Sequence, residues 1–296
     1  MSARIDIAMG FDAKYAPHAA TVVSSIVRHA PGARIRFLML HADVDAATQS
    51  RVAAEALEAE LVWIEVGEHD LPAYATRGHL NRTVLFRLGL ETLAPADCTR
   101  LLYIDSDTIV LGDVRELWGA DLGECAIGAV RDCYQDAAEF AARWNLPHAG
   151  QHYFNAGVQV IDLAHVRRER LFSKALDFVV ANDEKLLFGD QDALNYVFWG
   201  RWAPLDPAWN VQRYLSPNEI AAAGWERAGP GLVHFIGTHK PWMANVWHPW
   251  AWLYWENVKR TSFADEVAAA HGIDLYQLMR LRVRWWLRKP PTGKAR

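Results

Sequence analysis

Ile5-Asp6-Ile7-Ala8-Met9, Ile35-Arg36-Phe37-Leu38-Met39-Leu40 and Leu61-Val62-Trp63-Ile64-Glu65-Val66 are three short runs rich in β-branched and other apolar residues. Between them, residues 17–28 and 46–59 carry amphipathic patterns of helix length. This strand–helix–strand–helix–strand rhythm predicts a Rossmann-like, mostly parallel sheet with helices on both faces, because joining parallel strands needs a crossover long enough to hold a helix. Ligands of such sheets collect at the carboxyl ends of the strands. The next apolar run, residues 100–104, ends on Asp105-Ser106-Asp107, so two carboxylates stand where a ligand is expected.

Further along, strands are expected at 126–130, 158–161 and 232–236, and helices at 83–93, 168–182, 191–198 and 250–260. Neither an internal repeat nor a Pro/Gly-rich linker divides the chain. One domain over residues 1–279 with a basic, amphipathic, helical tail over 280–296 is therefore predicted. With 51% hydrophobic residues in 296, the chain has ample material for a core. The tail holds Arg280, Arg282, Arg284, Arg288, Lys289, Lys294 and Arg296 and no acid, among Leu281, Val283, Trp285, Trp286 and Leu287. The net charge is nevertheless −4, so the rest of the chain is acidic. An acidic body argues against a nucleic-acid partner, whereas the tail suits peripheral contact with an anionic membrane. Cys98, Cys125 and Cys133 are odd in number and lack metal-ligand spacing, and no segment reads as a signal peptide or a membrane span. A cytoplasmic location, peripheral at the inner face of the membrane, is the expectation.

Asp105 and Asp107, two residues apart in a turn after a strand, can approach one hard divalent cation such as Mg2+ or Mn2+. A cation there would neutralise charge on a departing diphosphate. The same motif also resembles the first motif of haloacid-dehalogenase-type phosphatases, in which Asp105 would attack phosphorus. His234-Phe235-Ile236-Gly237-Thr238-His239-Lys240-Pro241-Trp242 offers an imidazole for a cation, a glycine that permits close backbone approach and an ammonium for phosphate. Phe154-Asn155-Ala156-Gly157-Val158 and Gly189-Asp190-Gln191-Asp192 supply donors and acceptors suited to sugar hydroxyls. Taken alone, Asn155-Ala156-Gly157 also reads as a turn before a strand and Asp190 as a helix N-cap.

These groups in this order resemble family 8 of the glycosyltransferases, the retaining group that includes bacterial lipopolysaccharide galactosyl- and glucosyltransferases and glycogenin. The resemblance spans nearly the whole chain and also draws on Phe11-Asp12-Ala13-Lys14-Tyr15 and on Arg87 in Phe86-Arg87-Leu88. It implies a GT-A-type fold, a UDP-hexose donor, a saccharide or lipid-linked glycan acceptor, and Mn2+ or Mg2+ held by Asp105, Asp107 and His234. It places Asp12 and Tyr15 at the uridine and Asp105-Ser106-Asp107 at the donor. Arg87, Asn155, Ala156, Asp190 and Gln191 fall around the donor sugar, and Gly237 and Lys240 at the diphosphate. Lys14 and Ala13 depart from the asparagine and the acid common in that first loop. A phosphatase and a non-catalytic UDP-sugar-binding module are the competing readings. For a retaining transfer of galactose or glucose, Asp192 has the chemistry of a nucleophile, while the resemblance puts Gln191 nearer the reacting carbon.

Overall fold

The computed structural model describes residues 3–67, 69–71, 82–212, 230–243 and 250–288. Their strands are β1 (Ile5–Phe11), β2 (Ile35–His41), β3 (Glu60–Glu65), β4 (Arg100–Ile104), β5 (Thr108–Val110), β6 (Ile127–Arg131), β7 (Phe154–Asp162), β8 (Ala203–Pro204) and β9 (Leu232–His234). Seven form one sheet in the order β3-β2-β1-β4-β7-β6-β8, and β5 pairs with β9 in a separate antiparallel ribbon. Pairing is parallel throughout the β3-β2-β1-β4 half, as the crossover helices require. Among the seven strands of this sheet, only β7 runs against its neighbours.

Alternate residues of the strands feed two cores, one on each face of the sheet. Ile7, Met9, Phe37 and Met39 pack into one, and Ala8, Leu38 and Leu40 into the other. This alternation with apolar residues on both sides marks strands covered on both faces by helices. The helix Ala16–His29 is buried along most of its length under the first face.

Several elements depart from the sequence expectation. Residues 82–89 form a 3-10 helix that passes into a short α-helix, Leu90–Leu93, in place of one regular helix. The helix expected at 168–182 is two, Leu163–Glu169 and Leu171–Asn182, because Arg170 adopts a left-handed conformation with φ +54°. The helix expected at 46–59 stops at Glu55.

Two differences bear on function. β7 begins at Phe154, so Asn155, Ala156 and Gly157 lie within the strand and are not a turn before it. The C-terminal helix runs from Leu275 to Arg288, and Leu278 and Leu281 pack against the main core. A boundary between residues 279 and 280 therefore falls inside a continuous, docked helix. Among the described residues, no helix is long and apolar enough to cross a membrane.

Candidate active site

The reversed strand β7 builds the site. Because it runs opposite to β4, its first residues lie beside the carboxyl end of β4; Ile104 pairs with Val158, and Asp105 N donates to Gly157 O at 2.8 Å. The β5–β9 ribbon brings His234 to the same edge through the pairing of Thr108 with His234. Asp105, Asp107 and His234 thus present ligand atoms that all lie within 4.8 Å of one another. His234 Nε2 is 3.2 Å from Asp107 Oδ1 and 3.7 Å from Asp105 Oδ2.

Gly157 makes this approach possible. A Cβ at that position would fall 2.1 Å from His234 Cε1 and 2.7 Å from Asp105 Oδ2, so the cluster closes against bare backbone.

Arg87 organises the opposite side of Asp105. Its guanidinium is buried, donates to Ala156 O and, at 3.1 Å, to Asp105 Oδ1, and lies over the Tyr103 ring. Arg87 Nε also forms an ion pair with Asp190 Oδ2 at 2.5 Å. Burial pushes the Asp190 carboxyl up to about 6, against the pull of an Arg87 that Asp105 shares. Asp190 is the first residue of the helix Asp190–Val197, after Gly189 with φ +52°, and its side chain serves this ion pair and not an N-cap.

Lys240 Nζ donates to Asp107 Oδ2 at 2.5 Å and to Phe235 O at 2.7 Å. Burial alone would raise the Asp107 carboxyl, but the Lys240 ammonium beside it holds it well below the usual carboxylate range. Among the described residues, Asp105, Asp107, Asp190 and the nearby Asp132 face Arg87 and Lys240 as permanent cations, an excess of about two negative charges that one divalent cation would balance. Donor types, spacing and charge therefore all fit a hard cation.

The carboxylates stand between two cavities. One, of about 290 Å³, is lined by Asp12, Tyr15, Thr83, Arg87, Tyr103 and Ser106 as well as Asp105 and Asp107. The other, of about 580 Å³, shares Asp105 and Asp107 and adds Asp132, Tyr134, Asn155, Phe188, Gln191, Gln212, His234, Gly237 and His239. Asp12 Oδ1 accepts from Tyr15 N at 3.0 Å, and Tyr15 packs edge-on against Trp242. Gly237 lines the second cavity with φ +73°, a conformation that favours glycine. Gln191 Oε1 accepts from Ala156 N at 3.0 Å, and its Nε2 donates to Asp132 Oδ2 at 3.3 Å.

Asp192 requires a correction. Its side chain is fully buried; Oδ1 accepts from Tyr153 Oη at 2.6 Å and Oδ2 from Leu187 N at 2.8 Å. With both oxygens committed inside the protein, Asp192 serves the fold and is not a nucleophile. Neighbouring helix residues point about 100° apart, so Gln191 can face the cavity while Asp192 faces the core. The phosphatase reading gives His234 no role, whereas the structure sets that ring in one cluster with Asp105 and Asp107.

Sequence reasoning passed over Asp132, Asn210 and Gly157 as site residues. Asp132 was findable, because like Asp105 it directly follows a strand. Asn210 carries no such mark, and its place depends on a contact with Asn155 across 55 residues.

A mostly parallel sheet with one reversed strand, carrying an Asp-x-Asp pair and a histidine at its edge between two cavities, defines a glycosyltransferase of the GT-A type. The chain belongs to Glycosyl transferase family 8, whose profile matches residues 6–246. General stress protein A of Bacillus subtilis (strain 168) is 30% identical over 196 residues, 62% of this chain and 68% of that one. A lipopolysaccharide 1,2-glucosyltransferase of Escherichia coli (strain K12) is 24% identical over 255 residues, 83% of this chain and 74% of the relative. The solved structure of the galactosyltransferase LgtC in complex with donor and acceptor sugar analogs superposes with a TM-score of 0.76 at 25% identity, over 90% of this chain and 100% of that one.

Proposed function

We propose that the protein transfers a hexose, galactose or glucose, from UDP to a saccharide hydroxyl with retention of configuration, in the synthesis of lipopolysaccharide or another cell-surface glycan. The observation that carries this reading is the Asp105–Asp107–His234 cluster, whose two carboxylates line both cavities, one suited to the nucleotide and one to the sugars, and whose histidine lines the second. Those three residues would hold Mn2+ or Mg2+, which supplies positive charge opposite the departing diphosphate. Asp12 and Tyr15 bind the uridine side. Lys240 carries its ammonium to the diphosphate, with Gly237 allowing the backbone close approach. Arg87 holds Asp105, Asp190 and the Ala156 carbonyl in register around the donor sugar.

The burial of Asp192 favours front-face attack over a double displacement. Gln191 has an acceptor lone pair beyond the one that Ala156 N uses, and this dipole would stabilise positive charge developing on the sugar. The acceptor's proton passes to the leaving diphosphate. Release of UDP from a panel of UDP-hexoses tests the reading, with Mn2+ or EDTA and with or without saccharides. Metal-dependent release that rises with an acceptor is the expected result. UDP-sugar binding without turnover would instead establish a silent binding module, and an anomer of inverted configuration seen by NMR would exclude retention.

We also propose that the helix Leu275–Arg288 rests on an anionic membrane at the inner, cytoplasmic face, where a lipid-linked glycan acceptor would be presented. Tyr276, Met279, Val283 and Leu287 form an exposed apolar stripe at helical spacing, while Leu278 and Leu281 face the core. Arg280, over the Tyr276 ring beside the stripe, suits acidic headgroups. Deleting the tail from residue 280 would cut a docked helix, so surface substitutions are the cleaner probe. The double variant Val283→Glu/Leu287→Glu should lose about tenfold or more in affinity for phosphatidylglycerol vesicles, since two apolar side chains no longer leave water. Turnover of a soluble acceptor should be unchanged; equal vesicle binding by variant and parent would refute the membrane role.

A further inference from the structure

We infer that Asn210, oriented by Asp132 and Asn155, is a positioning residue that sets the tautomer of His234 and so presents Nε2 of that ring as a ligand. Only the consequence for a cation rests on the metal reading proposed above. The argument follows hydrogen-bond polarity outward from groups whose polarity is known. Asp132 Oδ1 accepts from Tyr134 N at 2.8 Å and Gln135 N at 3.1 Å, and Oδ2 lies 3.1 Å from Asn155 Nδ2. A carboxylate offers acceptors only, so Asn155 turns its NH2 toward Asp132. The backbone N–H of Gly157, which can only donate, independently fixes Asn155 Oδ1 from the other side at 3.1 Å.

Asn155 Oδ1 is thus an acceptor, and Asn210 donates Nδ2 to it at 2.9 Å. That leaves Asn210 Oδ1 facing His234 Nδ1 at 3.0 Å, so Nδ1 carries the proton. Asn155, Asn210 and His234 are all at most 5% exposed, which keeps water from reassigning the chain of bonds. The lone pair of Nε2 then points toward Asp107 Oδ1 and Asp105 Oδ2. Three acceptors facing one another repel, and a cation among them removes the repulsion. The opposite tautomer would place an N–H against Asp107 and fill the ligand position with a hydrogen bond. Partners of this kind hold metal-binding histidines in one tautomer and orientation in many proteins.

The tautomer is directly measurable. Protein labelled with 15N-histidine, in alkaline buffer without metal, reports which ring nitrogen of each histidine is protonated, and His234→Gln identifies the His234 signal. Nδ1–H is expected in the parent protein, a measurement that needs no variant of Asn210 to fold. Asn210→Leu should shift the ring toward Nε2–H and weaken Mn2+ binding in the presence of UDP, read by electron paramagnetic resonance, by about 10–100-fold. Asn210→Asp keeps an acceptor oxygen at Nδ1 but gives up the donor to Asn155 Oδ1, so it should preserve the tautomer and weaken Mn2+ binding less than Asn210→Leu does. An Nε2–H ring in the parent protein, or a folded Asn210→Leu with unchanged tautomer, would overturn the inference. Absence of saturable Mn2+ binding by the parent protein would overturn the metal reading, and the tautomer decides the role of Asn210 separately.

Discussion

Gly157→Ala is expected to lower sugar transfer by about 10²-fold or more while the protein stays folded, because displacing a catalytic group by about 1 Å is enough for a loss of that size. The added Cβ would sit 2.1 Å from His234 Cε1, well inside van der Waals contact. Neither partner yields easily. Gly157 lies within β7, with its carbonyl bonded to Asp105 N, and the His234 ring is held by Asn210. The ring must therefore leave its place beside Asp105 and Asp107. Overpacking of one methyl costs about 1–3 kcal/mol of stability, which a chain of this size tolerates. Gly237→Ala is the contrasting case: among the described residues its Cβ meets no atom within 4 Å, so the cluster keeps its place and a smaller loss is expected, from the strain of a positive φ and a less close approach to the diphosphate. UDP-release rates alongside thermal melts check both. Near-parental activity in a folded Gly157→Ala protein would show that the cluster is not needed in this geometry.

Arg87→Met should produce the largest loss of stability of any single change at the site, about 3–5 kcal/mol, since it strands carboxylates that share one buried cation. That is a large part of the ~5–15 kcal/mol that holds a typical domain folded, so a melting temperature lower by on the order of 10 °C is expected. Arg87→Lys keeps the charge but lacks the planar fork that reaches Ala156 O, Asp105 and Asp190 together, and should recover only part of the loss.

The pH dependence gives a second readout. The Asp190 carboxyl is raised from its ordinary 3.8 to about 6, so the folded protein binds that proton more tightly than the unfolded chain does. Its contribution to stability is thus present below about 3.8 and is lost as pH rises toward about 6. Without the guanidinium this window extends upward. The penalty of Arg87→Met should therefore be smaller at pH ~5 than at pH ~7.5, where the stranded carboxyl must be charged. Asp190→Asn added to Arg87→Met should restore part of the stability without restoring activity. Melting curves of the single variant that match the parent at both pH values would show that Arg87 is not the buried counterion described here.

The first half of the sheet was legible because strand and helix periods are local properties of the chain. Asp105 and Asp107 were legible for the same reason, since a strand's end can be read from the residues that precede it. That Asn155-Ala156-Gly157 lies within a strand, and is not the turn before one that it can also resemble, was not legible, because a periodic pattern does not carry strand direction. Once β7 is reversed, its first residues reach the edge where β4 ends. The choice between Gln191 and Asp192 was also closed to pattern reading, because two adjacent helix residues face different surroundings and their chemistry does not say which surroundings are core.

Composition, period and motif order thus determined a mostly parallel α/β sheet, the family and the acids at the strand ends, all of which rest on short stretches of chain. Tertiary packing alone decided that Asp192 is buried, that Arg87 bridges Asp105 and Asp190, and that Gly157 leaves room for His234. Each of these joins residues well separated along the chain, where distance and orientation are set by how the sheet is assembled.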